Sequence, residues 1–125
     1  MATDEAELTG RILGAAFEVS NTLGAGFLEK VYARALMHEL KLRGMRAVPE
    51  VSFSVAYKGQ RVGQYFADSV VEDVVVVELK CVEHLSAEHM ALCLNYLRAS
   101  GKELCLLLNS QRPTVEWKRI VQSAE

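Results

Sequence analysis

The stretch Val74-Val75-Val76-Val77-Glu78-Leu79-Lys80-Cys81-Val82 constrains the fold more than any other. Four consecutive valines favour extended chain and leave no polar face. Such a strand is expected at the centre of a sheet covered on both sides. The charges that follow are the anomaly. Glu78 and Lys80 are two apart on a strand, so they share a face, the one on which Val74 and Val76 are also expected. Taking a charge out of water costs several kcal/mol even after relaxation. Either the two leave the core at the edge of the sheet, or they pair with each other, or a bound cation compensates the carboxylate.

Apolar periodicity places the neighbours of this strand. Leu8, Ile12, Ala15, Ala16, Val19 and Leu23 recur at helical spacing, with Thr3 or Asp4 as cap and Gly24-Ala25-Gly26 as stop. Leu28, Val31, Tyr32, Ala35, Leu36, Leu40 and Leu42 make a second helix that Gly44 ends. Pro49 opens an extended region in which Val51, Phe53 and Val55 alternate with small or polar residues. Lys58-Gly59-Gln60 reads as a hairpin turn, and a second strand runs from Val62 to about Val71, before a turn at Glu72-Asp73.

Beyond the valine strand, Ser86 caps a third helix containing Ala91, Leu92, Leu94 and Leu97, which Ser100-Gly101 ends. Glu103 to Asn109 reads as a buried strand, Pro113 breaks the chain, and Val115 to Val121 suits a strand or a short helix. The order is α-α-β-β-β-α-β with that last element left open. It implies an α/β fold, one domain over residues 1–125, with a mixed central sheet flanked by helices. A right-handed crossover through the third helix makes the strands on either side of it parallel.

Charge and cysteine content narrow the function. The net charge is -2, so nothing marks the whole chain as a polyanion binder. Local groups could still grip a backbone: Lys41, Arg43 and Arg46, then Lys58 and Arg61, then Arg112, Lys118 and Arg119. The usual explanation of such groups is solvated surface. Cys81, Cys93 and Cys105 are odd in number and widely spaced, which speaks against a disulfide framework or a zinc ribbon. Lying in apolar runs, they are expected to be buried and reduced, in a cytoplasmic protein. The start MATDEAE is acidic and has no apolar core of a signal peptide, and no apolar run approaches the ~20 residues of a membrane span.

Asp68 strengthens the case for a cation. It lies in the strand before Glu78, and two adjacent carboxylates repel unless one is protonated or a cation lies between them. Mg²⁺ and Mn²⁺ suit such oxygen ligands, sharing one or two carboxylates with water and phosphate oxygens. A lysine beside them can position or activate water. Register sets a condition. With a strict two-residue loop at Glu72-Asp73, Asp68 falls opposite Val77; a three-residue loop or a bulge brings it opposite Glu78. Glu29, in the first turn of the second helix, is explained by the helix dipole alone or by a share in the site. Tyr32 lies three residues on along the same side. His38, His84 and His89 have no ligand spacing, and Trp117 reads as packing.

Together these residues resemble a known family. Gly26-Phe27-Leu28-Glu29-Lys30-Val31-Tyr32 matches the G-x-x-E-x-x-Y pattern that names a group of small bacterial and archaeal proteins. Leu23 to Glu29, Tyr57-Lys58-Gly59, Ala67-Asp68, Val77 to Lys80, Asn95-Tyr96-Leu97 and Lys118-Arg119-Ile120 extend the likeness over nearly the whole chain. That family is placed in the PD-(D/E)XK nuclease-like superfamily. The resemblance implies a restriction-endonuclease-like αβββαβ core with an extra N-terminal helix, and a metal-dependent nuclease acting on nucleic acid, DNA rather than RNA. It implies Asp68 and Glu78 as metal ligands with the main chain at Leu79, Lys80 as the catalytic lysine, Glu29 as a further acidic ligand, and Tyr32 as the family tyrosine. The cofactor expected is Mg²⁺ or Mn²⁺. A homodimer is one way for so small a core to span a duplex. Three positions depart from the pattern. Ala67 replaces a proline, Leu92 stands where a supporting glutamine is expected, and Ser110-Gln111 stands where an aromatic and a glycine are expected. The alternative is therefore a catalytically inactive nuclease fold kept for binding or assembly.

Overall fold

A computed structural model describes residues 4–122. Helix α1 (Glu5–Leu23) and helix α2 (Glu29–Leu42) lead into β1 (Ala47–Tyr57), β2 (Gln60–Val71) and β3 (Val75–Lys80). Helix α3 (Ala87–Ser100) then crosses to β4 (Leu104–Asn109), and β5 (Glu116–Val121) closes the chain. The open C-terminal element is thus a strand. Its Trp117 is 41% exposed and does not serve as core packing.

The five strands lie in the order β1-β2-β3-β4-β5. Only β3 and β4 are parallel; the other neighbours are antiparallel. The centre of the sheet is the all-apolar pair expected from the valine and leucine runs. Val75 and Val77 pack with Leu104, Leu106 and Leu108 under α1 and α2, whereas Val76 packs with Cys105 and Leu107 under α3. Both faces are covered, and burying one such side chain contributes roughly 1.5–3 kcal/mol.

Local chemistry sets the ends of the elements. Asp4 caps α1 by accepting from the Ala6 and Glu7 N–H groups; Thr3, the other expected cap, lies outside the described residues. Ser86 caps α3 in a reciprocal box with His89, whose Nδ1 accepts from the Ser86 N–H at 3.0 Å. Several strand boundaries differ from the sequence reading; β2, for one, begins at Gln60, inside the expected turn. β1 begins at Ala47, two residues before Pro49, which an edge strand tolerates because its outer side needs no donor. β3 ends at Lys80. Val74 belongs to the turn and packs on the α1–α2 side, so it does not share the face of Glu78. Cys93 and Cys105 are buried as expected, but Cys81, just past the end of β3, is only partly so.

Candidate metal centre

Where β2 meets β3, the register pairs Val71 with Val75, Val70 with Val76 and Ser69 with Val77. The turn therefore holds three residues, with Glu72 and Asp73 at φ 52° and 59°, and continuing the register sets Asp68 opposite Glu78. The hydrogen-bonded ladder stops at Ser69, and here the alternation of β2 slips. Tyr65 and Ala67 pack on the α3 side, yet Ser69 pairs with Val77, whose side chain belongs to the α1–α2 side. Glu50, in the adjoining stretch of β1, takes φ 53°, unusual for a residue with a side chain.

Side chains take over where the ladder ends. Asp68 Oδ2 accepts from the Leu79 N–H at 2.7 Å, and Glu78 Oε1 accepts from the Asp68 N–H at 3.3 Å. The two carboxylates are thus locked across the gap between the strands. Glu78 is 5% exposed. Its Oε2 lies 3.4 Å from Lys80 Nζ and 3.5 Å from the Tyr96 hydroxyl, which donates to the Phe66 carbonyl at 2.9 Å. Burial and then the neighbouring Asp68 charge push the Glu78 carboxyl up to about 7, against the pull of Lys80. Burial also raises Asp68, opposed by the Leu79 N–H, with Glu29 and Glu50 pushing it further up.

Glu29 joins from α2. Its Oε1 accepts from the Cys81 N–H at 3.0 Å, across the end of β3, and it lines with Asp68 and Leu79 a 270 Å³ cleft between α2 and the sheet. Tyr32 is not drawn into the carboxylate cluster. It is 1% exposed, donates to the Gly24 carbonyl at 2.6 Å and accepts from the Phe27 N–H at 3.2 Å. This ties down the α1–α2 corner, where Gly24 and Gly26 take φ 74° and 104°. The histidines lie elsewhere: His89 in the α3 cap, His84 against Arg112 at 3.2 Å, and His38 exposed on α2.

Sequence reasoning missed two polar residues beside the site. Tyr96 stands over Glu78; its place within an otherwise apolar helix stretch was the available signal. Asn109, buried at the end of β4 and paired with Lys80 across the parallel ladder, clamps the chain after β3. Its Nδ2 donates to the Val82 carbonyl at 2.8 Å, and its Oδ1 accepts from the Val82 N–H at 3.1 Å.

This frame, a β2–β3 hairpin with a carboxylate on each strand and a lysine two residues on, decides the family together with the sequence. A model of the PD-(D/E)XK nuclease superfamily matches residues 6–120. The chain belongs to that superfamily. Among solved structures, SSO0001 shares 19% identity over 77% of this chain at a TM-score of 0.60. The alkaline exonuclease LHK-Exo from Laribacter hongkongensis shares 13% identity over 98% of it at a TM-score of 0.55. The chain spans 50% of the first and 73% of the second. At these identities the likeness shows the fold, which is restriction-endonuclease-like. No protein with a curated description matches significantly in sequence.

The superfamily is one of nucleases that typically use divalent metals, and the residues present would suit a hard divalent cation. Among the described residues no three His, Cys, Asp or Glu side chains converge tightly enough to hold an ion unaided. Mg²⁺ and Mn²⁺ do not require this, because water and substrate phosphate oxygens complete their shell. Asp68 Oδ1 accepts no hydrogen bond among the described residues, and the Glu78 charge is under-compensated. Both are features that a cation would relieve. No helix of the described residues is long and apolar enough to cross a membrane.

Proposed function

We propose that this chain is a GxxExxY-type nuclease that hydrolyses phosphodiester bonds of nucleic acid, DNA rather than RNA, with Mg²⁺ or Mn²⁺, in the cytoplasm. The observation that carries the reading is the interlocked pair Asp68 and Glu78, with Lys80 at 3.4 Å from Glu78. Asp68, Glu78 and the Leu79 carbonyl would hold the ion, with Glu29 as a further oxygen donor. A bound divalent ion supplies Lewis acidity at the phosphoryl group and its attacking water. Lys80 orients that water and offsets the charge that grows on the phosphate. Tyr96, its hydroxyl donating to the Phe66 carbonyl, covers the Glu78 side of the pair from α3.

The test is incubation with single- and double-stranded DNA and RNA in Mg²⁺ or Mn²⁺, for the parent protein and for Glu78→Ala and Lys80→Ala. Cleavage by the parent that both variants lose is expected. Cleavage that survives in both assigns the activity to a contaminant and overturns the reading.

One observation favours the second reading, an inactive nuclease fold serving in binding or assembly. Leu92, where a supporting glutamine was expected, packs into the apolar cluster under α3 and offers the site no polar group. Titration calorimetry separates the two: no heat of Mg²⁺ or Mn²⁺ binding, with a partner still bound, supports the inactive module.

A further inference from the structure

The 270 Å³ cleft beside the carboxylates carries two cations that the metal site does not use. Lys30 and Arg34 line it from successive turns of α2, and both are exposed. Glu29, Glu50 and Asp68 line the same cleft. Even so, among the described residues neither cation makes an ion pair. The apolar part of the lining is Ala33, Met37 and Pro49, beside the buried Leu36 and Val77. Carboxylates, apolar side chains and exposed cations in one lining suit a nucleotide unit: carboxylates for a metal-bound phosphate, apolar surface for a base, cations for the next phosphate.

We infer that this cleft is a subsite for one unpaired nucleotide of a nucleic-acid strand, with Lys30 and Arg34 as its phosphate contacts. The inference rests on the nuclease reading for the identity of the ligand, and it adds the preference for a single strand. Size favours that form. The cleft lies just below the ~300–1,000 Å³ of typical small-molecule sites, room for one base and not for a pair. A duplex delivers a base there only by unstacking it, at a few kcal/mol. Charge favours it too. With a net charge of -2 the chain lacks the broad positive field that grips a duplex, whereas single strands are held by a local cationic track plus contact with base faces.

The test uses the Lys80→Met variant, which keeps Asp68 and Glu78, in Mn²⁺. Fluorescence anisotropy compares a labelled single-stranded 12-mer with the same sequence as a duplex. The single strand is expected to bind at least tenfold tighter. Lys30→Ala with Arg34→Ala is expected to weaken it at least tenfold, and to reduce the slope of log affinity against log salt by about 1.4, since each single-strand phosphate contact contributes roughly 0.7. The Mn²⁺-induced rise in melting temperature is expected to be the same with and without the two cations. Equal affinity for duplex, no strand binding, or a salt slope unmoved by the double substitution overturns the subsite. Loss of the Mn²⁺ effect with strand binding and its salt slope intact overturns the metal reading and supports the subsite.

Discussion

Replacing Glu78 by glutamine is expected to stabilise the fold at neutral pH while removing its response to divalent ions. In the unfolded chain this carboxyl ionises near 4.5, and in the folded protein at about 7. Between those values the folded state retains a proton that the unfolded state has lost. Stability is therefore complete below about pH 4.5, falls as pH rises through 7, and is lowest above it. A displacement from 4.5 to about 7, at about 1.36 kcal/mol per unit, corresponds to about 3 kcal/mol. The attraction of Lys80 is already contained in that displacement. Glutamine keeps the shape and an oxygen for the Asp68 N–H, and it never ionises, so it behaves as the protonated glutamate at every pH.

Urea denaturation with a chelator at pH 5 and pH 8 measures this. Parent and variant are expected within about 1 kcal/mol at pH 5, and the variant about 3 kcal/mol more stable at pH 8, a rise on the order of 10 °C in melting temperature for a chain of this size. A variant no more stable than the parent at pH 8 refutes the claim that the Glu78 charge is under-compensated, and with it the best physical reason to place a cation there.

Two further outcomes follow from the same geometry. Mn²⁺ at a hundred times its dissociation constant is expected to stabilise the parent by about 2.7 kcal/mol at pH 8, less at pH 5 where protons compete for the carboxylates, and not at all in Asp68→Asn; an equal shift in that variant refutes the assignment. Tyr32→Phe is expected to cost about 1–3 kcal/mol through the lost loop hydrogen bonds and to speed amide exchange at Phe27, while leaving the Mn²⁺ effect in place; loss of that effect places Tyr32 in the site instead.

The fold was legible because its centre is written in long homogeneous runs. Four valines and the Leu104 to Leu108 stretch admit few arrangements other than buried neighbouring strands, and Ser86 and Gly101 bound the helix that joins them. Strand ends were less legible because they depend on pairing: β1 extends to Ala47 only because Val71 lies opposite it. The candidate site residues could be named from their types and spacing, but how they sit together could not. Whether Asp68 meets Glu78 turns on one residue of loop length, and Val74 counts in that loop because it sits in the turn. Tyr96 and Asn109 escaped because each acts through a hydrogen bond to a residue distant in sequence, a relation that periodicity does not encode.

The way the three acids are held links stability to function. Each accepts from a main-chain N–H of another segment: Asp68 from Leu79, Glu78 from Asp68, and Glu29 from Cys81. The chain of bonds runs from α2 past the end of β3 and back to β2, fixing the carboxylates without relying on flexible partners. Backbone donors favour the ionised forms, but each carboxylate receives only one, and burial outweighs it for Asp68 and Glu78. Further donors would stabilise the free protein and fill the lone pairs a cation needs. Carboxylates held by the main chain yet short of hydrogen bonds to their charge are what the proposed divalent-ion site requires, and the expected cost of that arrangement falls on Glu78.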